Sequence, residues 1–228
     1  MIKPVNESCF LITLSEQIDL SLTSQIAQLV MQIETEFSDA LLNITPSYSS
    51  ILVEIDLLKI APLVAEQLLI ALTQQTRHAS ELTGKLIELP VYYDITVGWD
   101  LNTVADDNGL SVDEVINIHS DKIYQVCAIG FAPGFAFLAQ LDARISQPRH
   151  RRPRAFVPAG SVAIADTQSA VYPSDSPGGW HIIGNCPIPL FDINQHPITP
   201  FKIGDRVKFN RVNLQQFSAL GGKVSDEQ

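Results

Sequence analysis

Residues 129–184 constrain this chain more than any other stretch. They hold Gly130-Phe131-Ala132-Pro133-Gly134-Phe135-Ala136-Phe137, then Pro148-Arg149 and Pro153-Arg154, then Pro158-Ala159-Gly160-Ser161, and finally Ser176-Pro177-Gly178-Gly179-Trp180-His181. Proline fixes φ and removes a backbone donor, and glycine reaches dihedrals closed to other residues. Long regular elements have little room in such a segment. Short strands joined by tight turns remain, and sites built on turns commonly carry function. Strand patterns recur at 123–131, 161–165, 170–172, 181–184 and 207–212 with Gly/Pro punctuation between them, as in a barrel or curled sandwich.

The chain before this stretch is patterned differently. Residues 9–14 alternate as a short strand. Leu22, Ile26, Leu29, Val30, Ile33 and Phe37 fall at helical spacing, so 22–37 is expected to be a helix with one buried face. Asn43-Ile44-Thr45-Pro46-Ser47 is a turn cluster. Residues 51–56 are a strand, 61–77 a second helix with Pro62 in its first turn, and 86–91 another strand. The first 90 residues thus read β-α-β-β-α-β, two helices on one face of an antiparallel sheet. Asp100 is placed to cap a short helix that stops at Gly109. Ser111 and Glu114 form a capping box for the next one. His119, on the face of Val115 and Ile116, reads as a satisfied, half-buried residue. The expected fold class is α+β: a small N-terminal domain over 1–88, a β-barrel domain over 89–222 and a mobile polar tail over 223–228.

Charge narrows the function. The net charge of −10 argues against a nucleic-acid binder. The bases are nevertheless concentrated late: residues 143–228 carry six acids against ten bases, and five arginines lie between Arg144 and Arg154. A positive surface on an acidic protein suits an anionic ligand or an acidic partner. The bland alternative is pairing with internal carboxylates. The N-terminal residues have no apolar signal core, and no run approaches a membrane span, so a cytoplasmic protein is expected. Cys9, Cys127 and Cys186 form no metal or disulfide pattern, which fits a reducing compartment.

Standard catalytic signatures are absent: no GxSxG, HExxH, GxGxxG or Walker A sequence occurs. Candidates therefore come from the dense stretch. Gly134, behind Pro133, allows close approach of a ligand or another backbone, and Phe131 and Phe135 can wall a pocket. Phe137 reads as core. Arg149 and Arg154 follow prolines and can bind a carboxylate or phosphate bidentately. Ser161, Gln168 and Tyr172 offer neutral hydrogen bonds, and any base for Ser161 must be brought by the fold, with His119 and His181 as the candidates. Gly178 and Gly179 suit a turn whose N–H groups face an anion, covered by Trp180.

Taken together these motifs resemble the family that holds the B-type subunit of 5-oxoprolinase, the kinase inhibitor KipI and allophanate hydrolase subunit 1. The resemblance runs through Gly130–Leu138, the two Pro-Arg pairs, Val157-Pro158-x-Gly160-Ser161, Tyr172-Pro173, Ser176–Gly184, Leu190-Phe191-Asp192 and Gly204-Asp205-x-Val207-x-Phe209. It implies a small α+β domain followed by a cyclophilin-like β-barrel. It also implies a homologous cyclophilin-like partner (the C-type subunit of 5-oxoprolinase, or KipA type) and a LamB/YcsF-type partner, the A-type subunit. Together these cleave 5-oxoproline to glutamate with ATP, with Mg2+ accompanying the nucleotide. In that reading Arg149, Arg154 and His181 are catalytic. Phe131, Pro133, Gly134, Phe135, Ser161, Gln168, Tyr172, Gly178, Gly179 and Trp180 contact substrate. The alternative is a regulatory module that inhibits a sensor histidine kinase; prolyl isomerisation rests on the barrel alone. Departures from the family pattern fall at Tyr93-Asp94-Ile95, Asp166, Ser169-Ala170 and Asn185-Cys186.

Overall fold

The apolar spacing after Leu22 becomes α1 (Thr23–Phe37) in a computed structural model that describes residues 1–76 and 84–224. Ile26, Leu29, Ile33 and Phe37 are buried on one face. Each contributes about 1.5–3 kcal/mol by leaving water. They pack on a four-stranded antiparallel sheet of β1 (Ile2–Pro4), β2 (Cys9–Thr13), β3 (Leu41–Pro46) and β4 (Ser50–Ile55), in the order β1-β2-β4-β3. The period of two is visible in the register: Phe10 faces Val53 and Ile12 faces Ile51, and all four are buried. A second helix, α2 (Pro62–Gln75), adds Ala65, Leu69 and Leu72 to the same core. Arg77, the last residue of the helix expected from sequence, lies outside the described residues.

Two expectations for this region change. The turn cluster at Asn43–Ser47 is mostly edge strand, because Asn43, Ile44 and Thr45 pair with Glu54, Val53 and Leu52. Pro46 ends the strand, where a missing donor costs little. The strand at 86–91 does not join this sheet. As β5 (Leu86–Val91) it pairs in parallel with β13 (Arg206–Arg211), more than a hundred residues later. The order in the first unit is therefore β-β-α-β-β-α. By compactness the chain divides into 1–84 with 127–129 and 202–204, and 85–126 with 130–201 and 205 onward.

The second unit is built on a seven-stranded sheet. Its further strands are β6 (Ile123–Ile129), β7 (Ala136–Ala139), β9 (Ser161–Ala165), β10 (Gln168–Val171) and β12 (His181–Asn185), and the order is β12-β9-β10-β7-β6-β13-β5. Its two ends meet. Tyr92, just past β5, exchanges both backbone hydrogen bonds with Asn185 at the end of β12, each 2.9 Å long. That bridge closes the sheet into a barrel, and an α+β fold with a barrel-like second unit results. Small side chains inside it, Ala163, Ala165 and Ala170, leave room for Phe135, Tyr172 and Trp180. A separate ribbon of β8 (Arg154–Val157) and β11 (Ser176–Gly178) lies beside it in sequence.

Helices α3 (Leu101–Asn108) and α4 (Val112–Asp121) bear out the local signals. Gly109 ends α3 in the left-handed region, at φ 64°. The capping box forms: the Glu114 amide donates to Ser111 Oγ, and the Ser111 amide donates to the Glu114 carboxylate. Ser111→Ala is expected to lower stability by about 1 kcal/mol, read as a shift in urea midpoint at unchanged slope. His119 is fully buried rather than half-buried. It bonds Tyr93 Oη and Ser169 Oγ at 2.8 Å each and stacks on Phe209. Burial pushes its pKa down to about 3, so it is a neutral core residue. Lys223 and Val224 are described and lack regular structure, while 225–228 lie outside the described residues. No helix among the described residues is long and apolar enough to cross a membrane.

Candidate active site

The second unit contains a hollow of about 310 Å3 lined by aromatics and two nitrogen-bearing side chains. Phe131, Phe135, Phe137, Tyr172 and Trp180 wall it, Gly178 and Gly179 form one edge, and Arg149 and His150 supply the polar groups. The rings pack edge to face: Phe135 meets Tyr172 at 84° and Trp180 at 86°. Gly178 is needed for this packing, since a Cβ there would lie 2.3 Å from Tyr172 Oη. The Arg149 guanidinium carbon sits 5.7 Å from the Trp180 ring centre. Its only ion pair among the described residues is a 4.0 Å contact with exposed Asp166, worth little. Arg149 is therefore available to an anion.

Behind this wall lies a buried charge cluster. Asp100 accepts two hydrogen bonds from Arg154, at 2.9 and 2.6 Å, and a third from the Ile182 amide at 2.7 Å. Burial alone would raise the Asp100 pKa. The hydrogen bonds from Arg154 and Ile182, with the charge of Arg154, outweigh it and hold the carboxyl below its usual value. His150 Nε2 lies 3.0 Å from Arg154 Nη1 and 3.4 Å from Asp100. The His150 ring lies against that of His181, tilted by 34°, with centres 3.9 Å apart. Burial, more than the opposing bond to the Pro148 carbonyl, lowers the His181 pKa. Asp100, His150 and His181 are metal-ligand types with atoms within 4.8 Å of one another. Arg154 already neutralises Asp100 and donates to His150, so a cation there would first have to displace a guanidinium.

Seven residues singled out from sequence line the aromatic hollow: Phe131, Phe135, Arg149, Tyr172, Gly178, Gly179 and Trp180. Phe137, which sequence assigns to the core, joins them. The others are placed elsewhere. Arg154 takes the bland alternative and pairs with an internal carboxylate. His181 stands behind His150. Ser161 is buried in β9, whose residues are all buried. Gln168 sits at the start of β10 opposite Ala139 and Ala165. Pro133 does not line the hollow, and Gly134, at φ 80°, faces the Leu190 carbonyl, so the close approach there is by backbone. The anion-binding turn does not form: Ser176–Gly178 is a strand, and neither Gly178 nor Gly179 has positive φ. Asp100 holds the cap position before α3, yet its side chain makes no cap bond.

One departure has a local explanation. Asp166 opens the two-residue loop between β9 and β10 at φ 50°, where glycine is at ease and aspartate is tolerated. Asn185 and Cys186 border a different hollow of about 440 Å3, and Tyr172 lines both. Phe131 is 66% exposed at the rim and held at φ 72°, a strained conformation for a bulky residue.

A barrel-like unit preceded in sequence by an α+β unit is a fold shared with solved structures. The chain resembles the Kluyveromyces lactis urea carboxylase structure at TM-score 0.72 and 19% identity, over 96% of this chain and 22% of that one, a likeness of fold alone. It also resembles PH0987 from Pyrococcus horikoshii, a conserved uncharacterized protein, at TM-score 0.58 and 41% identity over 95% of this chain and all of that one. Residues 1–201 match the family described as carboxyltransferase domain, subdomain C and D, and the chain belongs to that family. Within it, the chain is similar to the B-type subunit of 5-oxoprolinase from Bacillus subtilis, 45% identical over 61% of this chain and 58% of that protein. The corresponding 5-oxoprolinase subunit of Haemophilus influenzae is 44% identical over 57% of this chain and 61% of its own. The matched span is thus about three fifths of these curated relatives.

Proposed function

We propose that this chain is one subunit of an ATP-dependent 5-oxoprolinase that opens the lactam of 5-oxoproline to glutamate. The observation that carries this reading is the aromatic hollow with Arg149 over Trp180. It offers an apolar slot for a small ring and one available cation for its carboxylate. Opening the ring breaks the C–N bond; water adds to the carbonyl carbon and the nitrogen leaves protonated. An amide is a poor electrophile, and transfer of the γ-phosphoryl group of ATP to the amide oxygen, with release of ADP, activates it; after the ring opens, a second water hydrolyses the resulting acyl phosphate to the side-chain carboxylate of glutamate and inorganic phosphate. ATP enters as co-substrate of the complex, with Mg2+ neutralising its phosphates. The partners are a homologous cyclophilin-like protein and a LamB/YcsF-type protein. Exposed Phe131 at the rim supports closure of the hollow by such a partner. A cytoplasmic location suits the ATP requirement.

The test is ATP-dependent release of glutamate by the reconstituted complex, with a known active complex as control. No turnover would sink the reading. Arg149→Ala is expected to lower kcat/KM about tenfold to a hundredfold, the loss of a charged hydrogen-bonding partner, with little change in Tm.

A further inference from the structure

His150 connects the hollow to the buried ion pair, and its two ring nitrogens are not equivalent. A guanidinium only donates hydrogen bonds. The 3.0 Å contact from Arg154 Nη1 therefore requires a lone pair on His150 Nε2. Asp100 Oδ2, 3.4 Å from Nε2, already accepts from Arg154 and from the Ile182 amide. The proton of the neutral His150 ring then sits on Nδ1. His181 is fixed by the same logic with the opposite outcome. The Pro148 carbonyl only accepts, so His181 Nε2, 2.9 Å away, carries the hydrogen. His181 Nδ1 is left as a buried lone pair without a partner.

His150 also has little freedom to turn. Its backbone amide donates to the Gly179 carbonyl at 2.8 Å, and its ring lies against that of His181. No described residue accepts a hydrogen bond from its Nδ1, and the side chain lines the aromatic hollow. His150 and Arg149 thus line the same hollow.

We propose that His150 presents a fixed Nδ1–H donor to the hollow, that Arg154 is the positioning residue that sets this tautomer, and that the donor reads an amide carbonyl oxygen on a ligand whose carboxylate Arg149 holds. The ligand class is a small ring bearing both groups. This deepens the 5-oxoprolinase reading and rests on it for the substrate. His150 contacts substrate, whereas Arg154 acts through His150. The pairing also accounts for specificity: a ring carboxylate without the carbonyl, such as proline, leaves the donor unpaired and is disfavoured.

Two measurements test this. The first is the tautomer of His150 in the full chain, read from ring 15N–1H correlations, with His150→Ala to identify the signals. A protonated Nδ1 and bare Nε2 are expected, retained in Arg154→Lys, which keeps a donor. A protonated Nε2 in the unaltered chain overturns the proposal. The second uses the reconstituted complex. His150→Ala is expected to raise KM for 5-oxoproline about tenfold and to erase discrimination against proline as competitor. His150→Asn, which places an amide N–H near the Nδ1 position, should recover part of it. An active complex in which His150→Ala keeps the original KM and discrimination overturns the proposal and leaves the 5-oxoprolinase reading standing. A complex without turnover sinks that reading instead, and the tautomer then decides whether the fixed donor exists.

Discussion

Asp100→Ala is expected to destabilise the barrel unit by about 3 kcal/mol, the lower end of the range for removing one partner of a buried pair. Asp100 is 4% exposed and accepts three hydrogen bonds, two from Arg154 and one from the Ile182 amide. The substitution leaves a guanidinium and a buried amide without their acceptor. The lower end applies because the Arg154 side chain is 30% exposed and recovers some hydration. At this chain length such a loss lowers Tm by roughly 6–12 °C. Both tryptophans, Trp99 and Trp180, belong to this unit, so tryptophan fluorescence reports it selectively. Asp100→Ala combined with Arg154→Met removes both charges and is expected to recover most of the loss, because an apolar pair replaces an ion pair at little cost. A double variant no more stable than Asp100→Ala would show that the Ile182 amide, not Arg154, is what Asp100 serves.

The same pair sets an acid limit. The Asp100 pKa is held below 3.8, its value in an unstructured chain. A group with a depressed folded pKa contributes stability that is fully present above the unfolded value and is lost as pH falls through the folded one. The contribution of this pair is therefore constant near neutrality and disappears below pH 3.8. Asp100→Asn should flatten that part of the acid-unfolding curve.

This cluster also marks where sequence reading stops. Phe131, Arg149, Trp180 and their neighbours are legible because they crowd into one stretch whose prolines and glycines exclude long elements. Asp100 is not. It precedes a helix and so looks like a cap, and its partner lies 54 residues on, joined only when β12 and the Arg154 ribbon are in place. His150 is hidden in a His-Arg-Arg run that reads as plain surface charge. Two prolines before two arginines give no means of telling the free guanidinium from the paired one. The fold shows the same division. Local devices such as the Ser111 box and the Gly109 stop are legible. The parallel pairing of Leu86–Val91 with Arg206–Arg211 has no local signature, so sequence reasoning assigns that strand to the wrong sheet. The adjacent glycines at 178–179 suggest a turn because glycine commonly serves one; here Gly178 makes room for the Tyr172 hydroxyl instead.

Gly160 meets both requirements that make glycine irreplaceable, and Gly160→Ala is expected to cost about 3 kcal/mol. Its φ of 80° costs an L-residue about 1–2 kcal/mol. An added Cβ would lie 2.4 Å from the Cys186 carbonyl oxygen and 2.9 Å from Asn185 Oδ1. The Asn185 side chain can turn away, but the carbonyl cannot. Gly160 donates to the Tyr172 carbonyl and accepts from the Cys186 amide, each at 2.7 Å, so relief of the clash breaks a bond that pins the loop. Overpacking of this kind typically adds about 1–3 kcal/mol. Gly109→Ala is the matched control: its φ is 64° with nothing within 4 Å of the added Cβ, so it pays for the dihedral alone. The difference between the two variants in urea midpoint, at constant slope, isolates the steric part. Equal losses would mean that the 158–160 loop shifts freely away from Cys186. In that case it does not anchor Asn185, whose bridge to Tyr92 closes the barrel.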